Sequence, residues 1–228
     1  MFNNGKILTL KVINKLFISP FKNKKRRKLF LQNNDVVLKD IKNVLSKAGI
    51  PFWLEFGTLL GAIREKDFIA HDLDIDIGMP MSYHTQELVN ILERNGFKLK
   101  RRITVSDGYA LEETYERCGV DIDIFYFYEK NGKYVCHAFS SAPGKNWKET
   151  ISEFGGLLVR EHQFPLTSAR RVEIIFKGDV YYAPSDIEAH LISNYGANYM
   201  IKDKGFTYLS AYNVEVQNNK FGMVEYFE

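Results

Sequence analysis

The sequence predicts an α/β (α+β) domain, and three observations predict it. Apolar residues recur at helical spacing over 35–48, 84–95 and 184–195, with a glycine just past each stretch. Two other stretches alternate strictly, Asp72-Leu73-Asp74-Ile75-Asp76-Ile77 and Val120-Asp121-Ile122-Asp123-Ile124, as strands with one apolar face do. Asn131-Gly132 sits between two apolar runs and is the dipeptide of a two-residue hairpin turn. A length of 228 residues, 45% hydrophobic and 26% charged, suits one such domain with a substantial core.

The net charge of +3 conceals an asymmetry. Residues 1–34 hold nine Lys or Arg and no acid, leaving 22 basic against 28 acidic residues in the remainder. They read as a basic N-terminal extension to a domain spanning 35–228. Residues 6–18 have helical apolar spacing and precede Pro20 and the basic cluster Lys22 to Lys28. One reading lays residues 6–28 on an anionic membrane surface; the other is a solvated basic helix or a docking segment for another chain. No uninterrupted apolar run approaches the ~20 residues that span a bilayer, and Lys11 and Lys15 interrupt any signal-peptide core. Two cysteines, Cys118 and Cys136, make no disulfide framework, so the expected location is cytoplasmic. The basic residues are not interleaved along an aromatic platform, and no nucleic-acid partner is expected.

In the domain, 35–48 forms a helix with Val37, Ile41, Val44 and Leu45 inward. Phe52 to Phe56 reads as a short strand, broken by Gly57, and Thr58 to Lys66 as a helix with Thr58 near its N-cap. Such a turn offers free N–H groups to phosphate oxygens. The acidic strands follow. Asp72, Asp74 and Asp76 share one face, and three adjacent carboxylates repel unless a cation sits among them; hard oxygen donors suit Mg²⁺ or Mn²⁺. The competing reading is an edge strand whose acidic face is merely solvated. Asp121 and Asp123 repeat the pattern within an aromatic strand, where burying acids is costly without pairing or metal. Asp123, with Asp121, is therefore expected to complete the site begun by Asp74 and Asp76. A glycine turn for phosphate beside a carboxylate platform for metal points to phosphoryl chemistry.

Residues 84–95 form a second helix with His84 at its start, as a surface or capping residue. Lys98, Lys100, Arg101 and Arg102 lie on a strand, Phe97 to Val105, and read as a solvated strand end, with a phosphate contact as the alternative. Tyr109 to Tyr115 is a strand facing the second acidic one, with Glu112 and Glu113 on opposite faces. Residues 140–170 read as a long loop with short elements. Arg171–Phe176 and Val180–Tyr182 form a hairpin. Pro184 to Tyr195 forms a helix opened by proline and serine, with His190 on its surface. The tail from Lys202 has alternating apolar positions but no separate motif.

WLEFGTLLGAIR, HDLDIDIGMP and DIDIF together resemble the LicD family, which includes the fukutin and fukutin-related glycosylation enzymes within the nucleotidyltransferase-fold superfamily. The resemblance covers residues 50–128, more loosely 155–200, and leaves out the first 34. It implies a nucleotidyltransferase-like mixed sheet flanked by helices. It also implies transfer of a phosphorylated alcohol, such as phosphocholine or ribitol phosphate, from a CDP-linked donor to a glycan or lipid-linked glycan hydroxyl, as in lipopolysaccharide or capsule biosynthesis. By position it gives donor phosphate to Gly57, Thr58 and Arg64, metal to Asp74, Asp76 and Asp123, and the family's first aspartate to Asp72; with Asp121 these acids are the expected catalytic set, and the base could be Asp121 or Asp72. Trp147 and His162 become candidate sugar contacts in an acceptor pocket. Phe56 stands where many members have glycine, and His71 where many have an aromatic residue. The same platform also serves a nucleotidyltransferase that releases pyrophosphate, or a non-catalytic nucleotide- or glycan-binding module.

Overall fold

The computed structural model describes residues 20–106, 108–203 and 205–227, without the side chains of 20–23 and 208. The helix expected over 6–18 lies outside the described residues. Helix α1 spans Pro20–Lys47 and is continuous through residue 34. It begins well before the apolar spacing does, because no glycine or proline interrupts residues 21–47. It ends at Gly49, whose φ is +68°.

Strand β1 (Trp53–Leu54) leads into α2 (Phe56–Leu60), which widens into a π-helical turn over Gly61–Glu65. Then come β2 (Asp74–Pro80), α3 (Gln86–Arg94), β3 (Lys98–Thr104), β4 (Leu111–Arg117), β5 (Val120–Lys130) and β6 (Lys133–Ser140). After these follow α4 (Trp147–Phe154), β7 (Leu157–Pro165), β8 (Arg171–Phe176), β9 (Asp179–Pro184), α5 (Ile187–Tyr195) and β10 (Val214–Tyr226).

Eight strands form a mixed sheet in the order β1-β2-β5-β4-β3-β10-β7-β6. β5 also pairs with β6, so the six strands from β5 to β6 close into a ring. Within the sheet β2 and β5 run parallel, and the ring ladders are antiparallel. β8 and β9 form a separate hairpin, tied to α1 by Lys42–Asp179 at 2.5 Å and Lys177–Asp35 at 3.1 Å.

The alternating sequences place their aliphatics as expected. Ile75, Ile77, Val120, Ile122 and Ile124 are fully buried in one core cluster with Val37, Leu38, Ile41 and Leu45 of α1. Burial of each such side chain contributes about 1.5–3 kcal/mol, and this layer seats α1 across β2 and β5.

Several expectations need correction. Residues 140–170 are not mainly loop: α4 opens with an Asn146–Glu149 capping box, and β7 is a nine-residue strand. Arg160, Glu161 and His162 are all buried in β7, so its polar residues break the alternation that would have announced a strand. The tail, where alternating apolar positions alone define no element, contains β10, whose register shifts between Val216 and Phe221. Helix α5 starts at Ile187 with Asp186 as its cap, while Pro184 ends β9. His190 is not on the helix surface but 1% exposed.

Trp53 and Gly78 are cross-strand partners, and a Cβ at Gly78 would run into the indole. Gly78→Ala is therefore expected to cost about 1–3 kcal/mol, seen as a lower midpoint in thermal unfolding. An unchanged midpoint would show that the indole moves aside freely.

Candidate active site

The parallel ladder sets Asp74 opposite Asp121 and Asp76 opposite Asp123. Two identical alternations in this register put four carboxylates on one face. Asp72 joins them, and oxygens of Asp72, Asp74 and Asp76 lie within 4.8 Å of one another. All five acids line one cleft of ≈ 1770 Å³.

The turn beside them is fixed from beneath by Glu55. This carboxylate, 1% exposed, accepts from the Trp53 indole at 2.7 Å and from the Phe56 N–H at 3.1 Å. His190 Nε2 lies 2.8 Å from Glu55 Oε1, the oxygen that takes the Phe56 N–H, while the indole is on Oε2; His190 Nδ1 lies 2.9 Å from Ser168 Oγ. Glu55, not Thr58, is the N-cap of α2. Phe56 has φ +39°, a conformation that glycine adopts without cost, and its ring packs on Phe125 and His162 at 4.6 and 5.0 Å. Gly57 is pressed against the acids: a Cβ there would overlap the Asp72 carboxylate and come within 3.2 Å of Asp76 Oδ2.

The residues expected to hold phosphate are engaged within the protein. Thr58 is 2% exposed, and its hydroxyl accepts the Asp76 N–H at 2.9 Å, positioning β2. Arg64 lines the cleft but donates to Glu65 at 2.9 Å and to the Tyr199 carbonyl at 3.2 Å. The cations nearest the acids come from elsewhere. Lys100 Nζ lies 2.5 Å from Asp121 Oδ1, and Arg101 lies 2.8 Å from Glu112 and 3.7 Å from Asp123. Arg26 of α1 lies 2.9 Å from Asp74 Oδ2 and 3.6 Å from Asp121 Oδ2. The sequence leaves Lys100 and Arg101 between a solvated strand end and a phosphate contact, and Arg26 in a basic cluster open to membrane, solvent or another chain. The adjacency of β3, β4 and β5 is what brings the first two inward.

Glu112 faces the cleft, whereas Glu113 points away, buried with Arg102, Tyr126 and His84. Trp147 and His162 both line the cleft; the Arg101 guanidinium sits 5.0 Å over the Trp147 ring, and His162 is 3% exposed. Burial pushes the His162 imidazole down to about 4.

Burial first, then repulsion from Asp72, pushes the Asp74 carboxyl up to about 7 and holds Asp76 well above the carboxylate range. Burial likewise lifts Asp123 to about 6, against the Arg101 charge and the 2.5 Å hydrogen bond from Thr114. At neutral pH this face needs protons or a cation. The donor set is all oxygen and three of its acids converge, the glycine at 57 letting the Asp72 carboxylate approach, so the residues fit a hard divalent ion such as Mg²⁺ or Mn²⁺.

Fold and site together define an α/β domain with a paired-acid cleft on one face of a mixed sheet. Residues 49–155 match the family model described as LicD/FKTN/FKRP, nucleotidyltransferase domain. An uncharacterised protein of Rickettsia typhi is 34% identical over 110 residues, 47% of this chain and 32% of that one. The human ribitol-5-phosphate transferase FKTN is 28% identical over 127 residues, 55% of this chain and 27% of the relative. The human ribitol 5-phosphate transferase FKRP is 29% identical over 99 residues, 40% and 20% of the two chains. The matched stretch thus covers a third or less of each of these relatives.

Asp74, Asp76 and Asp123 titrate higher folded than their ordinary value of 3.8. The folded protein then binds more protons than the unfolded chain, so metal-free stability falls as pH rises from about 4 through 7. Mg²⁺ added at pH 8 is expected to restore it, by roughly 2–4 °C in the unfolding midpoint for each kcal/mol. A midpoint flat from pH 5 to 8 and indifferent to Mg²⁺ and Mn²⁺ would contradict this account.

Proposed function

We propose that this chain moves a phosphorylated alcohol from a CDP-linked donor to a glycan hydroxyl, with Mg²⁺ or Mn²⁺ as cofactor. The observation that carries the reading is the paired-acid register of β2 and β5 inside a large cleft, within the segment matched to the LicD/FKTN/FKRP family. The ribitol-phosphate transfer for which FKTN and FKRP are named supports the class of group moved.

Asp74 and Asp76 would hold the cation, with Asp72 or Asp123 beside them. Bound there, it would neutralise donor phosphate and the charge on departing CMP. The acceptor oxygen attacks the phosphorus bearing the alcohol, the bond from phosphorus to the CMP oxygen breaks, and the acceptor proton passes to a carboxylate of the cleft. Asp121, held by two cations, is a poor base. Glu112 suits the role better: it faces the cleft, and burial, opposed by Arg101, lifts its carboxyl to about 7. Trp147 offers an aromatic wall for the sugar, and the deep position of His162 makes it a wall residue under Phe56.

Isothermal titration of CDP-choline, CDP-ribitol, CDP-glycerol and CTP in Mg²⁺ tests the donor. One CDP-alcohol is expected to bind preferentially and to be lost in an Asp74→Asn, Asp76→Asn double variant. Preference for CTP would favour nucleotidyl transfer, and no binding by any of the four would overturn the reading. Glu112→Gln is expected to keep donor binding while lowering turnover by about 10²-fold or more; unchanged turnover would remove it as the base.

A further inference from the structure

Arg26 enters the cleft from α1, outside the family-matched segment 49–155. Phe30, one helical turn later, sets its position: it is 1% exposed and packs edge-on against Phe68 at 5.3 Å. The neighbouring Lys24, Lys25, Arg27 and Lys28 are exposed, whereas Arg26 turns inward and is half-buried. Its Nη2 lies 2.9 Å from Asp74 Oδ2 and 3.6 Å from Asp121 Oδ2, and its Nε is buried with no hydrogen-bond partner among the described residues. Lys100 holds the other Asp121 oxygen at 2.5 Å. Asp121 thus carries one cation on each oxygen, and both cations line the cleft.

Thr58 and Arg64, two of the residues the family resemblance assigns to phosphate, are engaged elsewhere, and the Phe56 N–H of the glycine turn is taken by Glu55. A phosphate ester entering this acidic cleft still needs positive charge at its oxygens. We propose that Arg26 and Lys100, oriented by Asp121, form the phosphate-gripping pair of the cleft and hold the diphosphate of the donor. This rests on the reading that the acids take a divalent cation and the cleft a nucleotide-linked donor. With the Asp74 charge met by that cation, the guanidinium is free to turn its planar fork to two phosphoryl oxygens, a match that a lysine makes only in part. Asp121 is then a positioning residue, not the base.

The test separates phosphate affinity from metal affinity in the full chain. Mg²⁺ is titrated into the protein first; inorganic pyrophosphate, below its precipitation limit, is then titrated at saturating Mg²⁺. Arg26→Ala and Lys100→Ala are each expected to weaken pyrophosphate binding about tenfold or more, with Arg26→Lys recovering part of the loss. Asp121→Asn is expected to weaken it as well. Mg²⁺ affinity is expected to stay unchanged in these variants, or to tighten in Arg26→Ala because a competing cation is gone. Unchanged pyrophosphate affinity with tighter Mg²⁺ binding would reduce Arg26 to a counter-ion of Asp74 and overturn the proposal. So would parallel loss of both ligands, or wild-type protein that binds Mg²⁺ but no pyrophosphate. Wild-type protein that binds no divalent ion would instead sink the reading on which the proposal rests.

Discussion

The constraint on which the rest of the structure depends is the confrontation of carboxylates between β2 and β5. Asp74 faces Asp121 and Asp76 faces Asp123, because two strands with the same alternation run parallel in matching register. A slip of one residue would turn aspartates into the core and isoleucines into the cleft. The apolar side therefore fixes the register, and the acidic side bears the repulsion. No arrangement of these strands keeps the first without the second. The crowding has to be met locally, and Arg26, Lys100, Arg101 and the Thr114 hydroxyl are the groups the fold supplies. They leave Asp74 and Asp76 still reluctant to ionise, which is the state a divalent ion would relieve.

A second arrangement keeps the α2 turn against this face. Glu55 joins the Trp53 indole, the Phe56 N–H and His190, and His190 in turn stacks on Phe164 with ring centroids 4.0 Å apart. A phenylalanine at positive φ is costly, and here packing between Phe125, His162 and Phe164 offsets it. The turn is held from below by residues distant in sequence, so its glycine can lie close to Asp72 without collapsing onto it. Removing His190 would leave the Glu55 carboxylate short of a buried partner, with consequences felt at Gly57 before any acid is touched.

What the sequence made legible depended on local chemistry. The two acidic strands, the glycine-stopped helices and the Asn131-Gly132 hairpin follow from period and turn residues, and the structure has each of them. What stayed hidden depended on distant neighbours. β7 buries Arg160, Glu161 and His162 on a strand covered on both sides, which removes the two-residue period. The location of Lys100 and Arg101 requires knowing that β3 lies one strand away from β5. Arg26 belongs to a basic run that reads as solvated, and only the path of α1 across the sheet singles it out. Thr58 was recognised as important, but its hydroxyl supports the Asp76 backbone inside the protein.

The segment shared with the family ends at residue 155, yet the cleft does not. Arg26 comes from before the shared segment; His162, Tyr195, Tyr199 and Tyr212 come from after it, and all line the same space. On the proposed function the division matters, because acids and a cation would recognise charge, and every phosphorylated alcohol presents much the same charge. Telling one alcohol from another turns on a hydroxyl gained or lost, and only hydrogen-bonding groups and shape in the surrounding walls can sense that. Those walls are built from both parts, with Trp147 inside the shared segment and Tyr195, Tyr199 and Tyr212 beyond it. On the proposed function, the acids of the shared segment would specify the class of chemistry, while the choice of alcohol and glycan would fall to these walls, which α5, the residues that follow it and the helix that brings in Arg26 complete.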